Sequence, residues 1–263
     1  MTDLLDLLDL EEIDRDLYRA TTVFADTWWR LYGGQVAAQA LRAAGLSVEA
    51  GRRPHSLHGY FLRSGDAARP TVFQVFRDRD GRSFSARRVI ALQGGEVIFN
   101  MSASFHAVEE GVDDQEPRMP DIPAPDDSPA HQIPRLFSFE GREAPQPYPH
   151  AEWPTRFWGR CTADLKGDPL LHACALTYLS DISSGLTPFN TPTHASSASL
   201  DHAVWFHRAV DAQDWLLLDL VPHSAAGGRG WYTGSIFDRH GRLVASTAQE
   251  ALFRRRRPAP TVI

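Results

Sequence analysis

Residues 80–105 read DGRSFSARRVIALQGGEVIFNMSASF, and residues 227–253 read GGRGWYTGSIFDRHGRLVASTAQEALF. Each stretch is a strand, a glycine-bearing turn (Gly94-Gly95 or His240-Gly241) and a second strand, so each predicts a β-hairpin. Outward from these hairpins the chain repeats itself. A further strand precedes each one, SLHGYFLR at 56–63 and SLDHAVWFHR at 199–208, and PTVFQVF at 70–76 or DWLLLDLV at 214–221 supplies another. Ahead of those strands each half carries one helix. The first spans 33–45, GGQVAAQALRAAG, with Val36, Ala37, Ala40, Leu41 and Ala44 at helical spacing. The second has Asp168 as its N-cap and Pro169 at its first helical position, and Gly185 is the expected stop.

Both helices are rich in small residues, which permits close approach by other backbone. A helix that small and that apolar is best buried by an antiparallel sheet curling around it. The predicted fold is therefore α+β, a tandem double hotdog in which each half is a curved antiparallel sheet around one central helix. Between the halves, nine of the chain's 18 prolines fall from Pro117 to Pro149, in an acidic context. Proline lacks the amide donor and fixes φ, so this stretch is expected to be neither helix nor central strand. The expected organisation is an N-terminal hotdog over 1–106, an extended proline-rich linker over 107–149 and a C-terminal hotdog over 150–263. Leu136, Phe137 and Phe139 predict that the linker lies against the protein in places.

Composition narrows the functional classes. The chain has 263 residues, 43% hydrophobic and 23% charged, with a net charge of -6, which gives no reason to expect a nucleic acid or a membrane surface as partner. The one basic cluster, Arg254–Arg257, reads as a solvated tail. No apolar run approaches the roughly 20 residues of a membrane span. The acidic start MTDLLDLLDLEE is wrong for a signal peptide, and the final TVI is no peroxisomal address. Two cysteines, Cys161 and Cys174, sit in or beside apolar stretches and read as free thiols in a reducing compartment. Cytoplasm is the expected location. Neither GxSxG nor GxGxxG occurs. His55 with His58, and His202 with His207, point to opposite faces of their strands, so no metal site is expected.

Differences between the copies show where chemistry belongs. The second helix ends in YLSD, residues 178–181, and places Asp181 among Cys174, Tyr178, Leu179 and Ile182. A carboxylate there faces the negative end of the helix dipole, and burial obliges it to find hydrogen bonds. The first helix has no such acid. Aligning the two turns puts Gln249 opposite Ala103, on one strand face with Leu243, Ala245 and Thr247. Ser199 and Asp201 are expected to share a face of the strand before.

The segments GGQVAAQAL, HSLHGYFLR, DGRSFSARRV, YLSD, SLDHAVWFHR and VASTAQEA, in this order from about residue 10 to 254, resemble the type II acyl-CoA thioesterases. That resemblance implies a double hotdog and a catalytic set of Asp181, Ser199 and Gln249. It implies hydrolysis of fatty acyl-CoA to free acid and CoA, with Asp181 as general base and the other two holding the water. No cofactor is implied, since CoA is part of the substrate, and a homo-oligomer is expected. Trp28-Trp29 beside Gly33-Gly34 suggests either packing or an acyl pocket, and one of Arg87 and Arg88 is a candidate for the CoA phosphates. Two other readings fit the fold. A hotdog enoyl-CoA hydratase would use an Asp with a His a few residues on, whereas the first His after Asp181 is His194. A non-catalytic acyl-CoA-binding protein would have no need of the three polar residues.

Overall fold

The computed structural model describes residues 3–21, 30–133 and 136–256. The first half contains α1 (Leu4–Leu8), β1 (Glu11–Asp14), β2 (Leu17–Ala20), α2 (Gly33–Leu46), β3 (Arg52–Phe61), β4 (Thr71–Asp80), β5 (Phe84–Gln93) and β6 (Glu96–Ala107). The rest contains β7 (Ala130–His131), β8 (Phe139–Glu143), β9 (Arg156–Cys161), α3 (Pro169–Ser180), β10 (His194–Ser199), β11 (Asp201–Phe206), β12 (Leu216–Ala226), β13 (Arg229–Asp238) and β14 (Leu243–Arg255).

Both predicted hairpins form. Gly94 and Gly95 adopt φ of 57° and 83° in the β5–β6 turn, the positive values that a two-residue hairpin loop demands, and Gly241 adopts 83° in the β13–β14 turn. Around the hairpins the two halves have the same spatial order, β2-β4-β5-β6-β3 in one and β9-β12-β13-β14-β11 in the other. The β3 and β11 strands pair antiparallel, from Asp201 opposite Tyr60 to Trp205 opposite Ser56, and fuse the halves into one 14-stranded sheet. Helices α2 and α3 lie in a single apolar core that draws on both halves, with Ala37, Ala40, Leu41, Cys174, Leu176 and Leu179 fully buried. Cys161 and Cys174 are free thiols in it.

Three local features depart from the sequence reading. The segment 107–149 is more than a crossing. Its proline-free run around Phe139 forms β8, which pairs with β9, and β7 pairs with β8, so the segment extends the edge of the second half's sheet. The prolines flank these strands, where no ladder amide is required. The second helix does not run to Gly185. It ends at Ser180 with Asp181 as C-cap, and a 3-10 turn follows over Ser184–Phe189. Gly185 is glycine for lack of space, since a Cβ there would stand 2.2 Å from the Tyr232 ring. The strand 199–208 is broken at Leu200, between β10 and β11. No helix among the described residues is long and apolar enough to cross a membrane. Trp28 and Trp29 lie outside the described residues.

Candidate active site

The α2 and α3 helices lie side by side and antiparallel, so that the N-terminus of α2 meets the C-terminus of α3 and Gly45 near the end of α2 meets Leu170 at the start of α3. Tyr32, the N-cap of α2, donates its hydroxyl hydrogen to the Tyr178 carbonyl in the last turn of α3 (2.9 Å). Gly33 and Gly34 make this approach possible. A Cβ on Gly33 would lie 2.5 Å from Asp181 Oδ2, and one on Gly34 would lie 2.6 Å from the Tyr178 carbonyl oxygen. The positive end of α2 thus faces Asp181 and counters the negative end of its own helix. Burial of Asp181 is nearly complete, at 3% exposure.

The structure brings Asp181, Ser199 and Gln249 together. From the fully buried Gln249, Nε2 donates to Asp181 Oδ1 (2.5 Å) and to Ser199 Oγ (2.6 Å). Its Oε1 accepts from the Tyr232 hydroxyl and faces His202 Nδ1 at 3.2 Å. Beyond it, His202 Nε2 meets Ser180 Oγ at 2.8 Å. The inward face of β14 carries Ala245, Thr247, Gln249 and Ala251, which fixes the direction of Gln249. Ser199 and His202 both reach it although they are three residues apart. The break at Leu200 supplies the odd residue that strict alternation would forbid. Asp201 does not share the site with Ser199; its Oδ1 accepts from the Glu250 amide (2.6 Å).

Sequence reasoning missed Ser183. It sits just past the α3 cap at φ 59°, a left-handed conformation that is uncommon for serine and places its hydroxyl 3.0 Å from Ser199 Oγ and 3.2 Å from the Asp181 carbonyl. The run of serines in YLSDISSG was the available signal, but only the turn geometry selects the right one.

Of these groups Asp181, Ser183 and Ser199 line one wall of a cavity of about 720 Å³, within the usual range for small-molecule sites, and Gln249, Tyr232 and His202 lie buried behind that wall. Val36, Phe61, Phe99, Ile133 and Phe157 give the lining an apolar section. Exposed Arg30 and Arg63 line it as well, together with Arg256, which pairs with Glu152 (2.7 Å) and donates to the Thr191 carbonyl (3.0 Å). Arg256 is therefore part of the site's border, not of a solvated tail; Arg257 lies outside the described residues. Neither Arg87 nor Arg88 lines the cavity. Exposed His194 bonds to its neighbour Thr193 and takes no part in the Asp181 network.

The first half shows the same framework with no acid at its helix end. Arg87 is the cross-strand partner of Ala103, as Tyr232 is of Gln249. The C-cap of α2, matching Asp181, is Ser47. Buried Arg87 fills this corner, donating to Ser47 Oγ (2.8 Å), the Ser47 carbonyl (3.1 Å) and Asp80 Oδ1 (2.7 Å). At the other helix junction Leu170 packs where a Gly45 side chain would be, and Arg42 pairs with Asp168 at 3.3 Å. This junction of the helix ends thus carries a guanidinium and a leucine, where the junction at Asp181 carries a carboxylate, an amide and two glycines.

Two family models match the chain. The acyl-CoA thioesterase N-terminal domain matches residues 25–106, and the acyl-CoA thioesterase C-terminal domain matches 113–253. The chain belongs to the acyl-CoA thioesterase family. It is 34% identical to the acyl-coenzyme A thioesterase 8 of Mus musculus over 94% of this chain and 88% of the mouse protein. With the acyl-CoA thioesterase 2 of Haemophilus influenzae it shares 33% identity, over 97% of this chain and 98% of that protein. The crystal structure of an acyl-CoA thioesterase II, TesB2, from Mycobacterium marinum superposes with a TM-score of 0.81 at 43% identity, covering 95% and 98% of the two chains. A hot dog protein from Alicyclobacillus acidocaldarius, 22% identical with a TM-score of 0.77 over 97% and 98% of the chains, shares the fold. As a thioesterase the chain is a hydrolase, and the double hotdog is its architecture.

A pH prediction follows from the buried histidine of this thioesterase. Burial pushes His202 down to about 4 from the usual 6.5, against a smaller opposing effect of its bond to Gln249. Between pH 4 and 6.5 the unfolded chain binds a proton that the folded chain does not, so stability falls as pH falls through that window. The loss attributable to His202 is about 3 kcal/mol. Urea titrations from pH 7 to pH 4 should show a shallower loss for His202→Asn than for the unaltered chain; equal slopes would contradict the assignment.

Proposed function

We propose that the chain hydrolyses fatty acyl-CoA to free fatty acid and CoA at the Asp181 wall of the cavity, by general-base activation of water. The observation that carries this reading is the Gln249 amide, which bridges Asp181 and Ser199 beside a cavity that has an apolar section and an arginine border. The apolar section suits an acyl chain, and the arginine border suits the phosphates of CoA.

The residue types fit the reaction. The departing thiolate has a conjugate acid with a pKa near 8.5, taking cysteine as a guide, so it leaves with little acid assistance. What remains is to aim a water and to stabilise the oxyanion. Both Gln249 amide hydrogens are already engaged by Asp181 and Ser199, so Gln249 acts on the water through those two groups. In this mechanism Asp181 accepts one hydrogen of the water and Ser199 Oγ accepts the other, which leaves an oxygen lone pair free to attack the thioester carbon. A general base in this position typically contributes about 10²–10⁴-fold. The first amides of a helix have no intrahelical acceptor. Those of α2, at Gly33 and Gly34, are the donors we assign to the oxyanion, where a preorganised positive end is most effective. As the carbonyl re-forms, the C–S bond breaks, CoA thiolate leaves, and Asp181 returns its proton to solvent.

A panel of acyl-CoAs assayed for free thiol tests the reading. The expected result is one thiol per acid formed. Addition of water to an enoyl-CoA without thiol release would instead make the chain a hydratase, and tight binding without turnover would make it a binding protein.

A further inference from the structure

The catalytic reading explains why Gln249 touches Asp181 and Ser199, but not what keeps a terminal amide from turning over. A carboxamide is nearly symmetric in shape, and rotation by half a turn would exchange its donor and acceptor ends. The flipped state would set Oε1 against the Asp181 carboxylate and take both donors away from the site. We propose that Tyr232 and His202 are positioning residues for hydrolysis: together they hold the Gln249 amide oxygen and thereby aim its nitrogen at Asp181 and Ser199.

Hydrogen-bond directions support this. Gln249 Oε1 has no hydrogen, so the Tyr232 hydroxyl beside it is the donor. The same holds for His202 Nδ1 at 3.2 Å, which must carry the ring hydrogen. A neutral imidazole then has only a lone pair on Nε2, and Ser180 Oγ, which has Nε2 at 2.8 Å and the Thr177 carbonyl at 3.1 Å within reach of its one hydrogen, turns that hydrogen to the nearer Nε2. This tautomer is the one in which the chain Ser180 → His202 → Gln249 → Asp181 runs without two like ends meeting. Burial, which holds His202 neutral at ordinary pH, keeps the ring to a single hydrogen. All four side chains come from different elements: Ser180 ends α3, His202 lies on β11, Tyr232 on β13 and Gln249 on β14. The first half supports the same point by contrast, for where Gln249 is replaced by Ala103 its cross-strand partner is Arg87, with no amide to orient.

The proposal rests on the catalytic reading of Asp181, Ser199 and Gln249, and the test separates the two. Steady-state thiol release and thermal unfolding are measured for the unaltered chain, Tyr232→Phe, Gln249→Met and the double variant. Gln249→Met should lower kcat about 100-fold. Tyr232→Phe should lower it about tenfold with KM within twofold, and should have no further effect when Gln249 is already methionine, since a coupled pair does not add. A tenfold loss in both backgrounds would mean that Tyr232 supports the fold generally, and would overturn the positioning role while leaving the catalytic reading intact. Unchanged kcat in Gln249→Met would overturn the catalytic reading itself and the proposal with it. A second pair guards against variants that misfold. His202→Asn restores a donor near the place of Nδ1 and should keep kcat within about threefold, whereas His202→Leu should lose about tenfold at similar melting temperature. The reverse order would overturn the proposal.

Discussion

Replacing Asp181 by asparagine is expected to lower kcat for acyl-CoA hydrolysis by about 10²–10⁴-fold while leaving the fold intact. The asparagine side chain has the same shape, and its carbonyl oxygen can still accept from Gln249 Nε2, which now stands 2.5 Å from Asp181 Oδ1. What disappears is the basic oxygen on the other side, Oδ2, which faces Gly33 at the head of α2. The amide nitrogen that takes its place cannot accept a hydrogen, so the water is held by Ser199 alone and is not deprotonated as it attacks. The expected signature is a fall in kcat with little change in KM, because the acyl chain and CoA bind to other parts of the cavity. A variant with normal melting temperature and full turnover would remove Asp181 from the mechanism.

Gly33→Ala is expected to have the second largest effect, and to have it through one methyl group. Considered as a helix substitution, it should help, because alanine is favoured over glycine by up to about 1 kcal/mol in a helix. Considered as part of the site, it should fail: the added Cβ would stand 2.5 Å from Asp181 Oδ2 and 2.9 Å from the Phe61 ring. Asp181 is held by Gln249 and Phe61 packs against the core, so relief requires one of them to move. Overpacking of this kind costs about 1–3 kcal/mol, and a displacement of about 1 Å in a reacting group can cost about 100-fold in rate. Thiol release and thermal melting of the purified variant check both figures. Unchanged turnover would show that the junction of α2 and α3 is not where the reaction occurs.

The parts of this molecule that were legible in the sequence are those fixed by local chemistry. Gly94-Gly95 and Gly241 mark turns because only glycine adopts their φ cheaply, and once the hairpins are placed the repeat of helix and strands follows. Comparing the copies then isolates Asp181 and Gln249, since each stands where its counterpart is neither acidic nor an amide. What was hidden depends on long-range packing. The pairing of β3 with β11 unites the halves, and no local signal announces it. Gly185 looks like a helix stop but is small because Tyr232 lies against it. Ser183 reaches the site only through a left-handed turn, and His202 only through the break at Leu200. Arg256 was read as tail because its neighbours are arginines, whereas its partner Glu152 is 104 residues away. The strand β8 was obscured by prolines on both sides, although its own five residues contain none.

Water attack directed by Asp181 is tested most directly by a single turnover in H₂¹⁸O, with enzyme in excess over acyl-CoA. The expected result is one free thiol per acid, one ¹⁸O in the fatty acid and none in the protein. Absence of thiol release, or unlabelled acid with ¹⁸O in the peptide that carries Asp181, would contradict it.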